Sequence, residues 1–426
     1  MSRRLGRAPW LLVWAVLTGA QLYGFVQLGL ANAVSPNWAL AFGVLVAFQL
    51  VKLPFAAARL FDLGMPPDDA LLSLVPLANL GLFNELLKGA PPEDRRNKRL
   101  AAWQHDMTAS KAFFAGLRMI GAQAPLVLGV AVLAGILSGF ATQGCERFID
   151  WMIAADEGTI HSAMQVLEVS AGLLGLYLIM QISKARTATR ASWLPTLILL
   201  PLLLTIGAMY LRGSHEQGLA VVGLLFMGLD ITWSSFVGGL LAAVFLMAGA
   251  RAMVVRGGDP EKMRARVPDV VAVHGGAIHA VDIGIQIVIP GIVYLCVFPF
   301  VDMVAMFEPE TTRVFRRAAQ LSRGILRRLF KVQMLGYLIY KLPTLAIAAI
   351  ALGPEQLMQA MMDAREIPVW LDVVDGIFWF VAVAVIKLSL LAVFEERRNR
   401  EAERAGQPAQ RAVPVIGADV FAPPSA

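Results

Sequence analysis

The sequence predicts an all-α protein: a polytopic α-helical integral membrane bundle of about eight to ten transmembrane helices, with amphipathic surface helices. Three observations predict it. Of 426 residues, 57% are hydrophobic and only 16% are charged, whereas soluble domains carry about 25% charged residues. Apolar stretches of about 20 residues recur, and at about 1.5 Å per residue each can cross a hydrocarbon core about 30 Å thick. The formal net charge of +6 is gathered into particular loops, as the cytoplasmic bias of Lys and Arg requires. That charge reports orientation; no basic nucleic-acid-binding module is present. Cys145 and Cys296 form neither a disulfide framework nor a metal-ligand pair by spacing.

The membrane domain is expected over 1–394 and a charged cytoplasmic tail, partly disordered, over 395–426. Arg3, Arg4 and Arg7 precede a first span near 9–31. That span is longer than a signal-peptide core, so it reads as uncleaved, with the N-terminus cytoplasmic. A second span lies near 37–58, with Lys52 placed to snorkel toward its inner end. The segment 70–87 is apolar but carries Pro76, Asn79, Asn84 and Glu85, and basic residues flank it on both sides. It reads as re-entrant or interfacial.

Residues 91–111 form a polar cytoplasmic segment, followed by a third span near 119–140. The acidic loop 141–161 reads as external, with Phe148, Ile149 and Trp151 on an interfacial helix. Spans follow near 163–182, 193–211 and 218–250. Gly238 and Gly239 suit close helix packing in the last of these. Basic residues at 251–266 and 313–331 both read as cytoplasmic, so the region 277–307 crosses twice or not at all. It is expected to be a broken pair joined at Pro290-Gly291. Two more spans, near 332–352 and 369–393, flank an outside loop.

Between the broken pair and the next span, Val314, Phe315, Ala318, Leu321, Ile325, Leu329 and Phe330 recur at spacings of three and four. Arg313, Arg316, Arg317, Arg323, Arg327 and Arg328 crowd the other face. Such a helix serves as a positive-inside anchor that fixes topology, or lies at the headgroup boundary and binds anionic lipid or a partner. The expected partners are therefore the bilayer, anionic lipid at this face, and a membrane protein; nucleic acid is not among them.

This stretch also carries a family resemblance. Ile289-Pro290-Gly291-Ile292, Glu308, Arg316-Arg317-Ala318-Ala319, Leu321-Ser322 and Gly324 resemble the signature of bacterial polytopic membrane proteins akin to the membrane domain of glycerophosphodiester phosphodiesterases. The resemblance covers about a quarter of the chain, and Ala318-Ala319-Gln320 separates the Arg pair from its Ser, unlike the usual pattern. It implies a membrane fold in a bacterial protein, hence a multi-pass protein of the inner membrane; the basic residues at each end place both termini in the cytoplasm. The resemblance implies almost no chemistry.

Ionisable groups at membrane depth are costly and mark candidate sites. Asp230, His279, Asp282, Gln286, Asp302 and Lys341 are the intramembrane polar candidates; Asp372, Asp375 and Lys387 also lie in or near apolar segments. His279, Asp282 and Gln286 share a helix face by spacing, with His274 just before them. A polar cavity lining or an interhelical network is the expected role. Lys341 is a candidate partner for one of the aspartates. No catalytic motif, metal site or cofactor fingerprint is present. The expected function is a non-enzymatic membrane organiser or accessory component. The alternative is a small-molecule or lipid transporter, with a membrane-embedded lipid enzyme using His279 and Asp282 third.

Overall fold

The computed structural model describes residues 6–27, 38–74, 82–83, 85–97, 107–154, 237–253, 255–285, 300–308, 310–311, 313–363 and 368–406. The expected spans near 163–182 and 193–211, Asp230, Gln286 and the Pro290-Gly291 break lie outside them. The described elements are helical. They are α1 (Arg7–Phe25), α2 (Trp38–Asp62), a 3-10 helix (Pro67–Leu74), α3 (Ala109–Ala122) and α4 (Ala124–Ala154). After these come α5 (Val237–Ala252), α6 (Pro260–Ile285), α7 (Val301–Phe307), α8 (Val314–Ser322), α9 (Leu326–Asp363) and α10 (Val369–Arg404). Among the described residues, the stretch Leu326–Gly353 of α9 and the helix α10 are long and apolar enough to cross a membrane. The chain divides into two compact units.

The first unit comprises Met1–Ala112 and Lys331–Pro368. In it α1 packs on α2, and α2 on the 3-10 helix. Trp10, fully buried, stacks with Trp14 at 5.3 Å and Phe83 at 5.8 Å. Lys52 places its ammonium 5.1 Å from the Trp14 ring centroid and donates to Gln21 Oε1. Lys52 is 3% exposed. Arg59 at the end of α2 is buried and donates to the carbonyls of Leu86 (3.3 Å) and Lys88 (2.6 Å). Gly64 turns the chain after α2 with φ +69°. A side chain there would sit 3.1 Å from the Arg96 carbonyl oxygen.

Lys331 reaches Asp69 at 2.5 Å and Asp68 at 3.1 Å, all three side chains buried. The other charge of this cluster is partly absorbed by a helix end: Asp68 Oδ2 accepts the Ala109 N–H at 3.0 Å, an orphan donor of α3. The expected re-entrant segment 70–87 begins inside the 3-10 helix; residues 75–81 lie outside the described ones.

The second unit comprises Phe113–Phe330 and Val369–Ala426. Its core is the crossing of α4 and α10. A Cβ on Gly135 would lie 2.4 Å from Ile377 Cα, and one on Gly139 would lie 2.6 Å from Val373 Cα. These glycines let two backbones touch, where dispersion and close packing rather than water exclusion hold membrane helices together. Gly239 plays the packing role expected of it, lying against Val271 and His274 of α6. The whole of α7 is buried, and Phe300, Phe307 and Phe394 form one aromatic cluster.

Two expectations are corrected. The third span is not one straight helix over 119–140: α3 starts at Ala109, and the chain bends 96° before α4. Pro125, the second residue of α4, lacks the N–H that would continue α3 and disfavours helix at the residue before it. α4 then runs unbroken to Ala154, so the interfacial segment expected in the loop 141–161 is its continuation at least to that residue. The basic surface helix ends at Ser322, not Phe330. Gly324 adopts φ +80°, and Leu326 opens a new helix, so Arg327 and Arg328 belong to α9. The charged segment after 394, expected as a helix or tail, begins as helix: α10 continues through it to Arg404 with Glu395 and Arg398 buried.

Candidate functional site

Two polar constellations stand in the second unit. The first joins α6, α7 and α10. His274 Nδ1 lies 2.9 Å from Asp302 Oδ2, and Lys387 Nζ contacts the same oxygen. Asp302 is 2% exposed, and its other oxygen, Oδ1, has no hydrogen-bond partner among the described residues. A buried carboxylate is sustained by paired charge and hydrogen bonds, and here one lysine and one histidine supply them.

Asp302 and Lys387 were both legible as intramembrane candidates. Their pairing was not, since they stand 85 residues apart. The aspartate's cation is Lys387; Lys341, the lysine proposed for such a pair, sits in the first unit with its ammonium 2.7 Å from the Tyr340 hydroxyl and 4.0 Å from that ring's centroid. His279 and Asp282 lie on α6 three residues apart, downstream of His274; their side chains are outside the described set. Among the described residues no three His, Cys, Asp or Glu side chains converge as a metal ion needs.

The second constellation fastens α8 to the end of α10. Arg317 grips Glu308 with two nitrogens, at 2.8 and 3.2 Å, and Glu401 at 2.6 Å. Burial opposes the charge of Arg317, but its bonds to Glu308 and Glu401 outweigh that and raise its pKa above the ordinary arginine value. Arg398 contacts Glu308 at 3.3 Å and Glu395 at 2.7 Å, and donates to the Arg256 carbonyl at 2.7 Å. Arg397 donates to the carbonyls of Leu321 (3.2 Å) and Arg323 (3.0 Å), satisfying acceptors that the end of α8 leaves free. Below them Arg328 pairs with Glu396 at 2.7 Å. Of these groups Arg317, Arg398, Glu308 and Glu401 border a cleft of about 410 Å³.

The six-arginine lipid face therefore divides. Arg317 and Arg328 are turned to carboxylates, while Arg313, Arg316, Arg323 and Arg327 are exposed. The division follows from the helix ending at Ser322, and from Glu308, Glu396 and Glu401 arriving from elsewhere in the unit. Arg397, Arg398 and Glu401 had no signal in the sequence beyond lying in a charged run. Glu308 was visible as part of the signature.

No protein-family model matches the chain, and neither does any curated protein or solved structure.

Proposed function

We propose that the chain is a multi-pass protein of the bacterial inner membrane, built as a bundle of about eight to ten crossings with cytoplasmic termini. Its role is that of a non-enzymatic organiser or accessory component. The observation that carries this reading is the fastening of α8 to α10. Arg317 and Arg397 spend their donors on holding the short amphipathic helix in place, and Arg398 braces the Glu308 that Arg317 grips, while Arg313, Arg316 and Arg323 stay outward on the helix and at its end. A rigidly held basic helix is a docking face for anionic headgroups or for an acidic partner. The resemblance of the Pro290–Gly324 stretch to the glycerophosphodiester phosphodiesterase membrane domain supports the membrane setting and adds no activity.

The test is affinity purification in mild detergent with mass spectrometry of co-purifying proteins and lipids, comparing wild type with Arg313→Gln/Arg316→Gln. The expected result is a reproducible partner or anionic lipid retained by wild type and lost from the variant. Identical profiles would sink the reading.

The buried His274–Asp302–Lys387 cluster favours a second reading, transport of a small molecule or lipid, because ionisable groups at membrane depth mark pathways and relays. Under it, Asp302→Asn at normal abundance reproduces the phenotype that deleting the protein produces. An unchanged phenotype removes the transport reading.

A further inference from the structure

The cleft beside α8 contains one charge of each sign that makes no hydrogen bond or ion pair through its side chain with a described residue. Its charged lining is Arg256, Arg317 and Arg398 against Glu308, Glu310 and Glu401. Four of these six hold one another: Arg317 binds Glu308 and Glu401, and Arg398 binds Glu308. The remaining two do not. The Arg256 guanidinium and the Glu310 carboxylate make no hydrogen bond or ion pair with a described residue, and neither is buried. The charge of Arg256 does reach the buried Glu395, but Arg398 already holds that acid at 2.7 Å.

The arrangement selects by charge class. A simple anion entering the cleft meets three glutamates, and a simple cation meets three arginines. A molecule carrying both signs leaves neither set unanswered. Guanidinium groups suit planar or tetrahedral oxyanions, because two N–H donors match two oxygens. Carboxylates suit an ammonium, which offers three donors. Ala402 and Ala405 leave room on the α10 side, and the volume of about 410 Å³ admits a headgroup-sized ligand.

We propose that this cleft binds a small zwitterion, its oxyanion on Arg256 and its ammonium on Glu310. The ligand is carried either by a phospholipid headgroup of the ethanolamine type or by a free solute of the same chemistry. This goes beyond the organiser reading and stands whether or not a protein partner docks on α8.

The experiment is calorimetric titration of the full chain in a non-ionic detergent. The probes are O-phosphoethanolamine, dihexanoylphosphatidylethanolamine, ethanolamine alone and inorganic phosphate alone. The variants are Arg256→Gln and Glu310→Gln, chosen because neither side chain holds a described neighbour; unliganded thermal unfolding checks that both remain folded. The zwitterions are expected to bind, and each substitution to weaken them roughly tenfold or more, the size of one lost charge-assisted contact. Equal affinity for the two zwitterions makes the headgroup chemistry sufficient, and tighter binding of the lipid makes the bilayer the source. The proposal is overturned if neither zwitterion binds, if both variants bind like wild type, or if phosphate alone binds as tightly as phosphoethanolamine.

Discussion

His274 on α6 and Asp302 on α7 meet through Nδ1 and Oδ2 at 2.9 Å inside the second unit. Lys387 of α10 completes the contact on the same oxygen. Removing the aspartate's charge while keeping its shape leaves a part-buried ammonium without its counter-ion. Asp302→Asn should therefore lower stability by about 3–5 kcal/mol, and adding Lys387→Met should return part of that loss. Unfolding of the four chains of a double-mutant cycle in detergent measures both effects. A single Asp302→Asn variant as stable as wild type would show that the ion pair is not made.

The crossing of α4 and α10 is expected to reject even one added carbon. Gly135→Ala drives a methyl to 2.4 Å from the Ile377 backbone, and overpacking of this kind costs about 1–3 kcal/mol. On the same helix a Cβ on Gly129 would meet nothing within 4 Å among the described residues. Gly129→Ala should be neutral or slightly stabilising, since alanine is the better helix former. Thermal unfolding of the two variants side by side gives the comparison, and equal effects would contradict the close crossing.

Neighbouring arginines on α8 should behave differently. Arg317→Gln breaks contacts to Glu308 and Glu401 that are only part-buried, so a loss of about 1–2 kcal/mol is expected after solvent screening. Arg316 is exposed, and Arg316→Gln should change stability by less than about 0.5 kcal/mol. The same unfolding assay separates them; the reverse order would mean that α8 is rotated from the orientation described above.

Two turn glycines test backbone against packing. Gly324 and Gly64 both take positive φ, at +80° and +69°. An alanine at Gly324 meets nothing within 4 Å, so Gly324→Ala should cost only the left-handed backbone penalty, about 1–2 kcal/mol. At Gly64 the new methyl also crowds Arg96, and Gly64→Ala should cost more. Chemical denaturation of each variant supplies the values.

The helical class was legible because apolar periodicity and loop charge are local properties, read directly from runs such as 332–352 and 369–393. Helix ends were less legible. Pro125 and Gly324 each carried a local breaking signal, but the apolar pattern runs straight through both, and it masked the bend before α4 and the end of α8. The site was legible as a list of costly residues and not as a set of pairs. Asp302 meets Lys387 across 85 residues and Arg317 meets Glu401 across 84, and no spacing rule spans such distances. The inward turn of Arg317 was hidden for the same reason: its helical face reads as basic until the glutamates that meet it are in place.

The cytoplasmic placement of α8 is tested most directly by a single cysteine at position 316, in a chain whose Cys145 and Cys296 are serine. A membrane-impermeant maleimide is applied to intact and to permeabilised cells. Labelling only after permeabilisation is the expected result and fixes the basic helix on the inner face. Labelling in intact cells would put that helix outside and contradict the organiser reading at its root.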